Sequence, residues 1–264
     1  MKVFANGLSG TIGKHISKKV SVLDGDLRKS DQFSKFEEIC GEDLVFIHLA
    51  AVVGASLVER DISSSHQVNV DAVERMGEIA LGQNIKKFIY VSTSHVYARS
   101  SEKISEDYPL NPQSIYANQK MKAEDSLLRI FNEQPEKLLI LRVFSILDWG
   151  MPEYTLGGAI EKLLTEPETR TLSNADDVRD FLTPRNVANI LEDIAFNSNL
   201  SGVYNLCSSK GQTLKEAALS MAKYKNINLS NNCFKINEKE VTKIVGDNHK
   251  LLSAYSNLNL KWDY

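Results

Sequence analysis

The sequence predicts an α/β protein that consists of a doubly wound parallel sheet followed by a small C-terminal lobe. Short apolar runs, typical of buried strands, alternate with longer segments of helical periodicity along residues 1–145. The run from Asp43 to Ala51 is apolar almost throughout, as expected for a strand that is covered on both faces. Right-handed crossovers place the carboxyl ends of such strands along one edge of the sheet, where ligands bind.

The order of the elements follows from these local patterns. Strands are predicted over residues 2–5, 20–23, 43–51, 87–92, 137–144 and 202–206. Helices are predicted over residues 11–19, 68–83, 116–133 and 156–164. We therefore assign residues 1–145 to the sheet domain, which also takes in about 179–206, and we assign 146–178 and 207–264 to the small lobe.

Composition narrows the range of functions. The 264 residues carry a formal net charge of −3 with both signs spread along the chain, so neither a nucleic-acid partner nor a membrane-binding tail is expected. The longest apolar stretch, Leu49 to Val58, is too short to span a bilayer, and the first residues lack a signal-peptide pattern. Three dispersed cysteines and five scattered histidines argue against a disulfide framework and a metal site. We expect a cytoplasmic protein without a metal.

Three glycines follow the first predicted strand at regular spacing. Gly7, Gly10 and Gly13 permit a tight turn, a close approach of the backbone to a ligand, and close packing of a helix on the strand. The loop then opens a helix whose free N–H groups receive phosphates. This context predicts a Rossmann-type dinucleotide site formed by Gly7, Ser9, Gly10, Thr11, Ile12 and Gly13.

An acidic turn ends the second predicted strand and bears on the choice of dinucleotide. Asp24 is placed to accept hydrogen bonds from the adenosine ribose hydroxyls, which favours NAD, with Asp26 and Leu27 as neighbouring contacts. Arg28 and Lys29 follow closely and suit the 2′-phosphate of NADP instead. Asp24 is also compatible with an ordinary solvated turn. We expect NAD as the cofactor, with NADP as the alternative.

A tyrosine and a lysine four residues apart open the helix after the fourth strand. Tyr116 and Lys120 share a helix face, so the ammonium is expected to lower the pKa of the phenol and to enable proton exchange with an alcohol or carbonyl. The spacing alone is common by chance in this composition. Its position matters, because Thr93 ends the preceding strand at the same sheet edge and its hydroxyl can bond a reacting oxygen.

With these elements in place, the sequence resembles the extended short-chain dehydrogenase/reductase family, the NAD-dependent epimerases and dehydratases of nucleotide-linked sugars. The likeness covers nearly the whole chain. It is carried by GLSGTIG, His48-Leu49-Ala50-Ala51, Asn69-Val70, STSHVY, YANQK, Leu141-Arg142-Val143-Phe144, Arg179-Asp180-Phe181, the strand from Gly202 to Leu206 and the closing segment from Asp247 to Trp262.

The resemblance implies roles for individual residues. Thr93 matches the hydroxyl that binds the sugar oxygen, Tyr116 matches the catalytic acid/base, and Lys120 matches the residue that holds the nicotinamide ribose. The positions that flank the cofactor are matched by Leu49, Ala50 and Ala51. The family also implies a nucleotide-sugar substrate and a homodimer formed through residues 66–83 and 116–133.

Three further residues are expected near the substrate, namely Ser94, His95 and Arg179. Dehydratases of the family carry acidic residues where this chain has Ser94 and His95, so a dehydratase is disfavoured. His95 is interpreted either as a second acid/base or sugar contact, or as a partly exposed histidine beside a strand end. Arg179 is expected to form an ion pair, structural or close to a phosphate, rather than to act in catalysis.

The predicted reaction is hydride transfer at C4 of a nucleotide-linked sugar. The family's Asn-Val-Tyr-Gly is replaced by residues 145–148, no arginine follows Arg185, and the chain is short for the family, which implies a reduced substrate lobe. The reduced lobe favours a 4-keto-sugar reductase, because an epimerase must keep and rotate a keto intermediate. A 4-epimerase with tightly held NAD is the alternative, because it uses the same catalytic set. A non-catalytic NAD(P)-binding protein is less expected, because Thr93, Tyr116 and Lys120 are retained.

Overall fold

The computed structural model describes residues 1–236, 240–256 and 258–262. Its strands are β1 Lys2–Asn6, β2 Ser21–Val22, β3 Leu44–His48, β4 Lys87–Thr93, β5 Leu138–Val143, β6 Ser145–Ile146, β7 Val178–Leu182, β8 Gly202–Leu206, β9 Gly211–Thr213 and β10 Lys243–Ile244. Its α-helices are α1 Ser30–Ile39, α2 Ala55–Arg60, α3 Ile62–His66, α4 Ala72–Gly82, α5 Ile115–Ile130, α6 Leu156–Thr165, α7 Pro184–Asn197, α8 Leu214–Tyr224 and α9 His249–Ala254.

The main sheet is parallel, and within the described residues its strand order is β2-β1-β3-β4-β5-β8. Every residue of β3 and β5 is buried, which explains why both runs are apolar except for His48 and Arg142. The strand order reverses between β1 and β3, whose last residues, Asn6 and His48, lie opposite each other in the register. A crevice at such a switch point is where open α/β sheets bind ligands. The predicted fold class is confirmed.

Helices cover both faces of the main sheet. On one face, α1, α4 and α5 pack through buried apolar side chains such as Phe36, Met76 and Leu127. On the other face, α7 packs on the strands through Val187 and Ile190. Burying apolar side chains on both faces supplies the main stabilisation of such a sheet.

The helix predicted over residues 11–19 is wrong. The chain makes a single 3₁₀ turn, Gly13–His15, and then becomes extended at Ile16. The carboxylate of Glu192 on α7 accepts hydrogen bonds from both the backbone N–H and the hydroxyl of Ser17, at 2.6 and 2.5 Å. These bonds hold the chain away from a helical path, and residues of α7 cover the sheet where a longer first helix would lie.

Two further predictions concern residues 68–83 and 179–206. The helix predicted over 68–83 lies within a longer helical segment, in which a π turn, Gln67–Asp71, precedes α4. Within residues 179–206, β8 joins the main sheet, whereas β7 belongs to a second sheet. That strand pairs with β6, β9 and β10 because the chain after β5 turns away from the main sheet.

The second sheet lies beside its own apolar core. Side chains from α6, α8 and β7 pack together there, including Ile160, Leu163, Phe181 and Met221. The predicted lobe over 207–264 includes 237–239, 257 and 263–264, which lie outside the described residues. Among the described helices, none has both the length and the apolarity needed to cross a bilayer.

Candidate active site

The glycine loop is folded tightly against the ends of β1 and β3. Gly7 has a left-handed φ of +69°, and a Cβ placed there would lie 2.6 Å from the backbone N of Ala50. A Cβ on Gly13 would lie 2.3 Å from the carbonyl oxygen of Gly7. Ser9 and Gly10 are exposed at the tip of the loop. The backbone of this loop, here called the cradle, therefore packs closely at positions where only glycine fits, as in loops that hold the phosphates of a dinucleotide.

A buried asparagine, which the sequence prediction missed, fixes this crevice. The Asn6 carboxamide oxygen accepts hydrogen bonds from the N–H groups of Leu49 and Ala50, at 2.9 Å each. Its amide nitrogen lies 3.0 Å from Nδ1 of His48. The backbone N–H groups of Leu49 and Ala50 are thus already used, and these residues and Ala51 are all partly exposed. The sequence contains a signal for this role, because the polar Asn6 ends a buried strand just before Gly7.

The turn after β2 holds the residues predicted to contact adenosine. Asp24 is exposed, and among the described residues its carboxylate has no hydrogen-bond partner. Asp26 binds the guanidinium of Arg28 at 2.8 Å, and this hydrogen bond lowers the pKa of Asp26 to about 2. Arg28 also donates to the Ser64 hydroxyl at 2.8 Å. Leu27 is buried. Arg28 is therefore occupied, whereas Asp24 is free to meet a ribose.

The predicted catalytic pair lies on α5 at the end of β4. The Ser114 hydroxyl caps the helix by accepting a hydrogen bond from the N–H of Ala117 at 3.1 Å. Lys120 is buried, and its ammonium donates to the carbonyl of Val91 at 2.7 Å. Tyr116 lies one helical turn before Lys120 on the same face. The helix thereby brings both side chains to the strand that ends at Thr93.

The expectation that Lys120 lowers the pKa of Tyr116 is wrong for the protein in this state. Burial raises the pKa of Tyr116 to about 12, and burial also lowers the pKa of Lys120 to about 7. The ammonium is directed to the Val91 carbonyl and lies 4.0 Å from the ring centroid of Tyr90. Desolvation therefore dominates over the expected charge effect, and Tyr116 is a neutral phenol at neutral pH.

Hydroxyl side chains line the end of β4, as predicted. Thr93 is 7% exposed, and its hydroxyl accepts a hydrogen bond from the N–H of His95 at 3.3 Å. This contact caps the short turn that follows the strand and leaves the hydroxyl hydrogen to donate. Ser94 is buried beside it. Thr93 therefore combines a structural cap with a position suited to a reacting oxygen.

A cavity of about 280 Å³ lies between β4, the start of α5 and the second sheet. The predicted substrate residues Ser94, His95 and Arg179 all line it, whereas Thr93, Tyr116 and Lys120 do not. Arg99, which the sequence prediction missed, also lines it. Among the described residues that line the cavity, none is an aspartate or a glutamate. The site is therefore positively charged and suits an anionic group.

The three basic side chains of the cavity differ in their surroundings. Arg179 donates to Asp177 at 3.1 Å and to two backbone carbonyls, as expected of an ion-paired residue. Desolvation at the cavity wall lowers the pKa of His95, and the charge of Arg179 adds to the effect. Arg99 is exposed, and in the described chain its side chain has no hydrogen bond or ion pair. Arg99 is therefore the guanidinium most available to a ligand.

Asn69 connects the segment after β3 to α5, the helix that carries Tyr116 and Lys120. Its side-chain amide exchanges hydrogen bonds with the backbone of Val52, at 2.8 and 3.0 Å, and donates to Gln119 at 2.8 Å. Gln119 in turn donates to Ser65 at 2.9 Å. The asparagine noted in the sequence thus holds α5 by the residue that precedes Lys120.

Comparison with known proteins places this arrangement in a family. Residues 6–207 match the model of the NAD dependent epimerase/dehydratase family, and the chain belongs to that family. The predictions of an enzyme of this family and of a nicotinamide dinucleotide as its cofactor are thereby confirmed.

The chain is similar to several characterised proteins. It is 24% identical over 239 residues to the GDP-6-deoxy-D-mannose reductase of Pseudomonas aeruginosa, covering 81% of this chain and 77% of the relative. The structure of RMD from Pseudomonas aeruginosa complexed with NADPH superposes with a TM-score of 0.82 at 21% identity, over 97% of this chain and 92% of that one. The UDP-glucose 4-epimerase of Thermus thermophilus in complex with NAD has a TM-score of 0.81 at 19% identity, over 100% and 95%. The relatives include reductases and epimerases, in keeping with the predicted class of reaction.

Proposed function

We propose that the protein reduces the C4 carbonyl of a nucleotide-linked 4-keto sugar. A bound nicotinamide dinucleotide supplies the hydride. Tyr116 donates its phenolic proton to the oxygen as it becomes an alcohol, and the Thr93 hydroxyl holds that oxygen by a hydrogen bond. The Lys120 ammonium holds the nicotinamide ribose and stabilises the phenolate that Tyr116 becomes. The carbonyl gains one hydride and one proton, so the sugar is reduced and the cofactor oxidised.

The single 3₁₀ turn after the glycine loop is the observation that favours a reductase over an epimerase. A long helix adds its dipole to the phosphate site, whereas one short turn supplies little beyond its own N–H groups. Weaker retention of the dinucleotide suits a reductase, because a reductase must release the oxidised cofactor after every turnover. Burial raises the pKa of Tyr116 to about 12, so the phenol is protonated at neutral pH and carries the proton that the reduction consumes.

We further propose that the cavity holds the diphosphate of the substrate. Arg179 and the free Arg99 offer guanidinium groups, which pair well with phosphate oxygens. Ser94 and His95 lie on the side nearer Thr93 and would contact the sugar. An Arg99→Gln variant should then raise the KM for the nucleotide sugar about 10-fold at constant kcat. Arg60→Gln, at another exposed arginine, is the matched control, and an unchanged KM for Arg99→Gln would remove Arg99 from the site.

The proposed cofactor contacts follow the glycine loop and the neighbouring strand ends. They comprise Gly7, Ser9, Gly10, Thr11, Ile12, Gly13, Asp24, Asp26, Leu27, Leu49, Ala50, Ala51, Tyr116 and Lys120. We propose NAD as the preferred form, because Asp24 is free to bind a ribose hydroxyl and the guanidinium of Arg28 is tied to Asp26 and Ser64.

The experiment that tests the proposed function starts with the nucleotide content of the purified protein. We expect little bound NAD, together with steady oxidation of added NADH or NADPH in the presence of a 4-keto nucleotide sugar. A thermal-shift panel of UDP-, dTDP-, GDP- and CDP-sugars identifies the nucleotide, because ligands of the native state raise its stability. Stoichiometric NAD that survives purification, with sugar isomerisation and no net cofactor oxidation, would establish the epimerase instead.

We also propose a homodimer, formed through the helical segments 66–83 and 116–133. The outward faces of these segments carry both signs of charge, in Asp71, Arg75, Glu78, Lys122, Asp125 and Arg129. Such a dimer should dissociate as salt is added, which light scattering at low and high ionic strength measures.

The proposal includes a small substrate lobe and a cytoplasmic location. A small substrate lobe over 146–178 and 207–264 is supported by the joint packing of α6 and α8. A cytoplasmic location is in keeping with three free cysteines.

A further inference from the structure

A buried ion pair lies one helical turn beyond Lys120. Glu124, on α5, is 1% exposed and Arg142, at the end of β5, is 5% exposed. The guanidinium binds the carboxylate through Nη2 at 2.6 Å and through Nε at 3.0 Å. The Ser92 hydroxyl also donates to Glu124. The carboxylate thus joins the catalytic helix to two neighbouring strands of the main sheet.

The same network extends to the wall of the cavity. Arg142 donates to the hydroxyl of Tyr97 at 3.0 Å, and that hydroxyl donates to the side-chain oxygen of Asn205 at 2.6 Å. Asn205 is fully buried and donates to the carbonyl of Ile104 at 2.8 Å. Tyr97 and Ile104 both line the cavity. The network therefore fixes α5 and the cavity wall relative to each other.

Stability alone is a weak reason for such an arrangement. Taking two charges out of water costs several kcal/mol per ion, and a buried pair replaced by apolar residues of similar size is often neutral or stabilising. An apolar pair at 124 and 142 would fill the space at lower cost. The presence of a carboxylate at Glu124 calls for a role that an apolar residue cannot fill.

The neighbouring Lys120 explains why a carboxylate is needed at Glu124, because the buried ammonium of Lys120 needs a compensating negative charge. Its own helix presents Tyr116 and Glu124, β4 presents Tyr90 and the Val91 carbonyl, and β3 presents His48. Tyr116 and Tyr90 are neutral phenols, because burial raises the pKa of both. Burial lowers the pKa of His48 to about 3, so this ring is also neutral at neutral pH. Among these groups, Glu124 is the carboxylate.

We propose that Glu124 is a positioning residue that keeps the buried Lys120 ammonium charged at its place beside the Val91 carbonyl, one helical turn from Tyr116. This role rests on the proposed function of Tyr116 and Lys120. Arg142 and Ser92 hold the carboxylate in place, one helical turn from Lys120 on the same helix. The direction of the effect on the pKa of Lys120 follows from charge. Burial favours loss of the proton from Lys120, and the negative charge of Glu124 opposes that loss.

The test measures the titration of Lys120 directly by NMR of ¹³C-labelled lysine in the full-length protein, with Lys120→Arg identifying the signal. The main variant is Glu124→Gln with Arg142→Met, which removes the carboxylate without leaving a buried guanidinium unpaired. We expect the Lys120 midpoint to fall by about one pH unit, because the opposing charge is gone. Asp125→Asn, an exposed charge change on the same helix, should leave the midpoint unchanged.

A second variant separates this role from a merely structural one. Arg142→Gln leaves Glu124 with Lys120 as its nearest cation, so the Lys120 midpoint should rise rather than fall. The pH at which NADH affinity is lost should follow the same two directions, because Lys120 holds the ribose. A folded double variant with an unchanged Lys120 midpoint, or two variants that shift it in the same direction, would overturn the proposal. These readouts need no sugar substrate, so failure to reduce a 4-keto sugar would contradict the proposed function alone.

Discussion

The glycine cradle and α5, the helix that carries Tyr116 and Lys120, are built in opposite ways. The cradle over residues 7–13 has its shape because side chains are missing, and an added Cβ would overlap backbone atoms at Gly7 or Gly13. The catalytic helix α5 is held by side chains that are present, among them the buried Lys120, Glu124 and Gln119. The first element is sensitive to added atoms, whereas the second is sensitive to lost partners.

The difference also separates binding from chemistry. The cradle offers backbone groups, which have no titratable state, so its contribution to cofactor affinity should be independent of pH. The helix offers Tyr116 and Lys120, whose protonation burial has changed. Variants in the cradle should therefore change affinity, and variants on the helix should change turnover and its pH dependence.

The largest expected effect lies on the helix. Tyr116→Phe removes the proton donor and keeps the ring, so turnover should fall about 1000-fold. The affinity for NADH should not change, because the cradle is untouched. Steady-state kinetics and fluorescence titration on the same preparation check both statements. Full turnover by the variant would exclude Tyr116 as the acid.

The second prediction adds one methyl group to the cradle. Gly13→Ala places a Cβ 2.3 Å from the Gly7 carbonyl oxygen, so the loop must open. We expect the dissociation constant for NADH to rise about 100-fold, equivalent to an overpacking cost of about 2.7 kcal/mol. Gly41→Ala is the control, because a Cβ there has no neighbour within 4 Å. If Gly13→Ala and Gly41→Ala bind NADH with equal affinity, the cradle tolerates an added methyl group and the prediction fails.

The third prediction concerns stability at acidic pH. Burial lowers the pKa of His48 from 6.5 to about 3, so the unfolded chain binds this proton below about pH 6.5 and the folded protein does not. Stability therefore falls as the pH falls, by about 2 kcal/mol between pH 6.5 and pH 5 for this group. Urea unfolding at both pH values should show that His48→Gln loses this part of the acid sensitivity. The same fall in variant and parent would contradict the assignment.

The smallest effect is expected at the far end of the cofactor site. Asp24→Asn removes the charge that we assign to the ribose hydroxyls, so the dissociation constant for NADH should rise about 10-fold. NADPH should be affected less, because its 2′-phosphate does not favour a carboxylate. Isothermal titration with both nucleotides measures the ratio, with the exposed Asp31→Asn as the control. If the variant loses more affinity for NADPH than for NADH, the proposed preference for NAD over NADP is reversed.

Local patterns were sufficient to predict much of the fold and the site. Apolar runs gave the strands, glycine spacing located the cradle, and the four-residue spacing of Tyr116 and Lys120 placed both on one helix face. These features depend on neighbours within a few residues, which is the range over which sequence periodicity acts. They are therefore visible without knowledge of the tertiary structure.

The missed features depend on partners far along the chain. The first helix was predicted from residues 11–19, but the bonds from Ser17 to Glu192 come from α7. The acceptor role of Asn6 toward Leu49 and Ala50 likewise needs the register of β1 and β3. The pKa of Tyr116 depends on the balance of burial and charge, which the spacing of two residues does not determine.

The covering of β1 by α7 has a consequence for the order in which the protein forms. During synthesis β1 and the cradle leave the ribosome before α7, so one face of their sheet stays open to water until residues 184–197 have emerged. Contacts between such distant segments also slow folding. The nascent chain therefore carries the complete sequence of its cofactor loop well before it can hold that loop in shape.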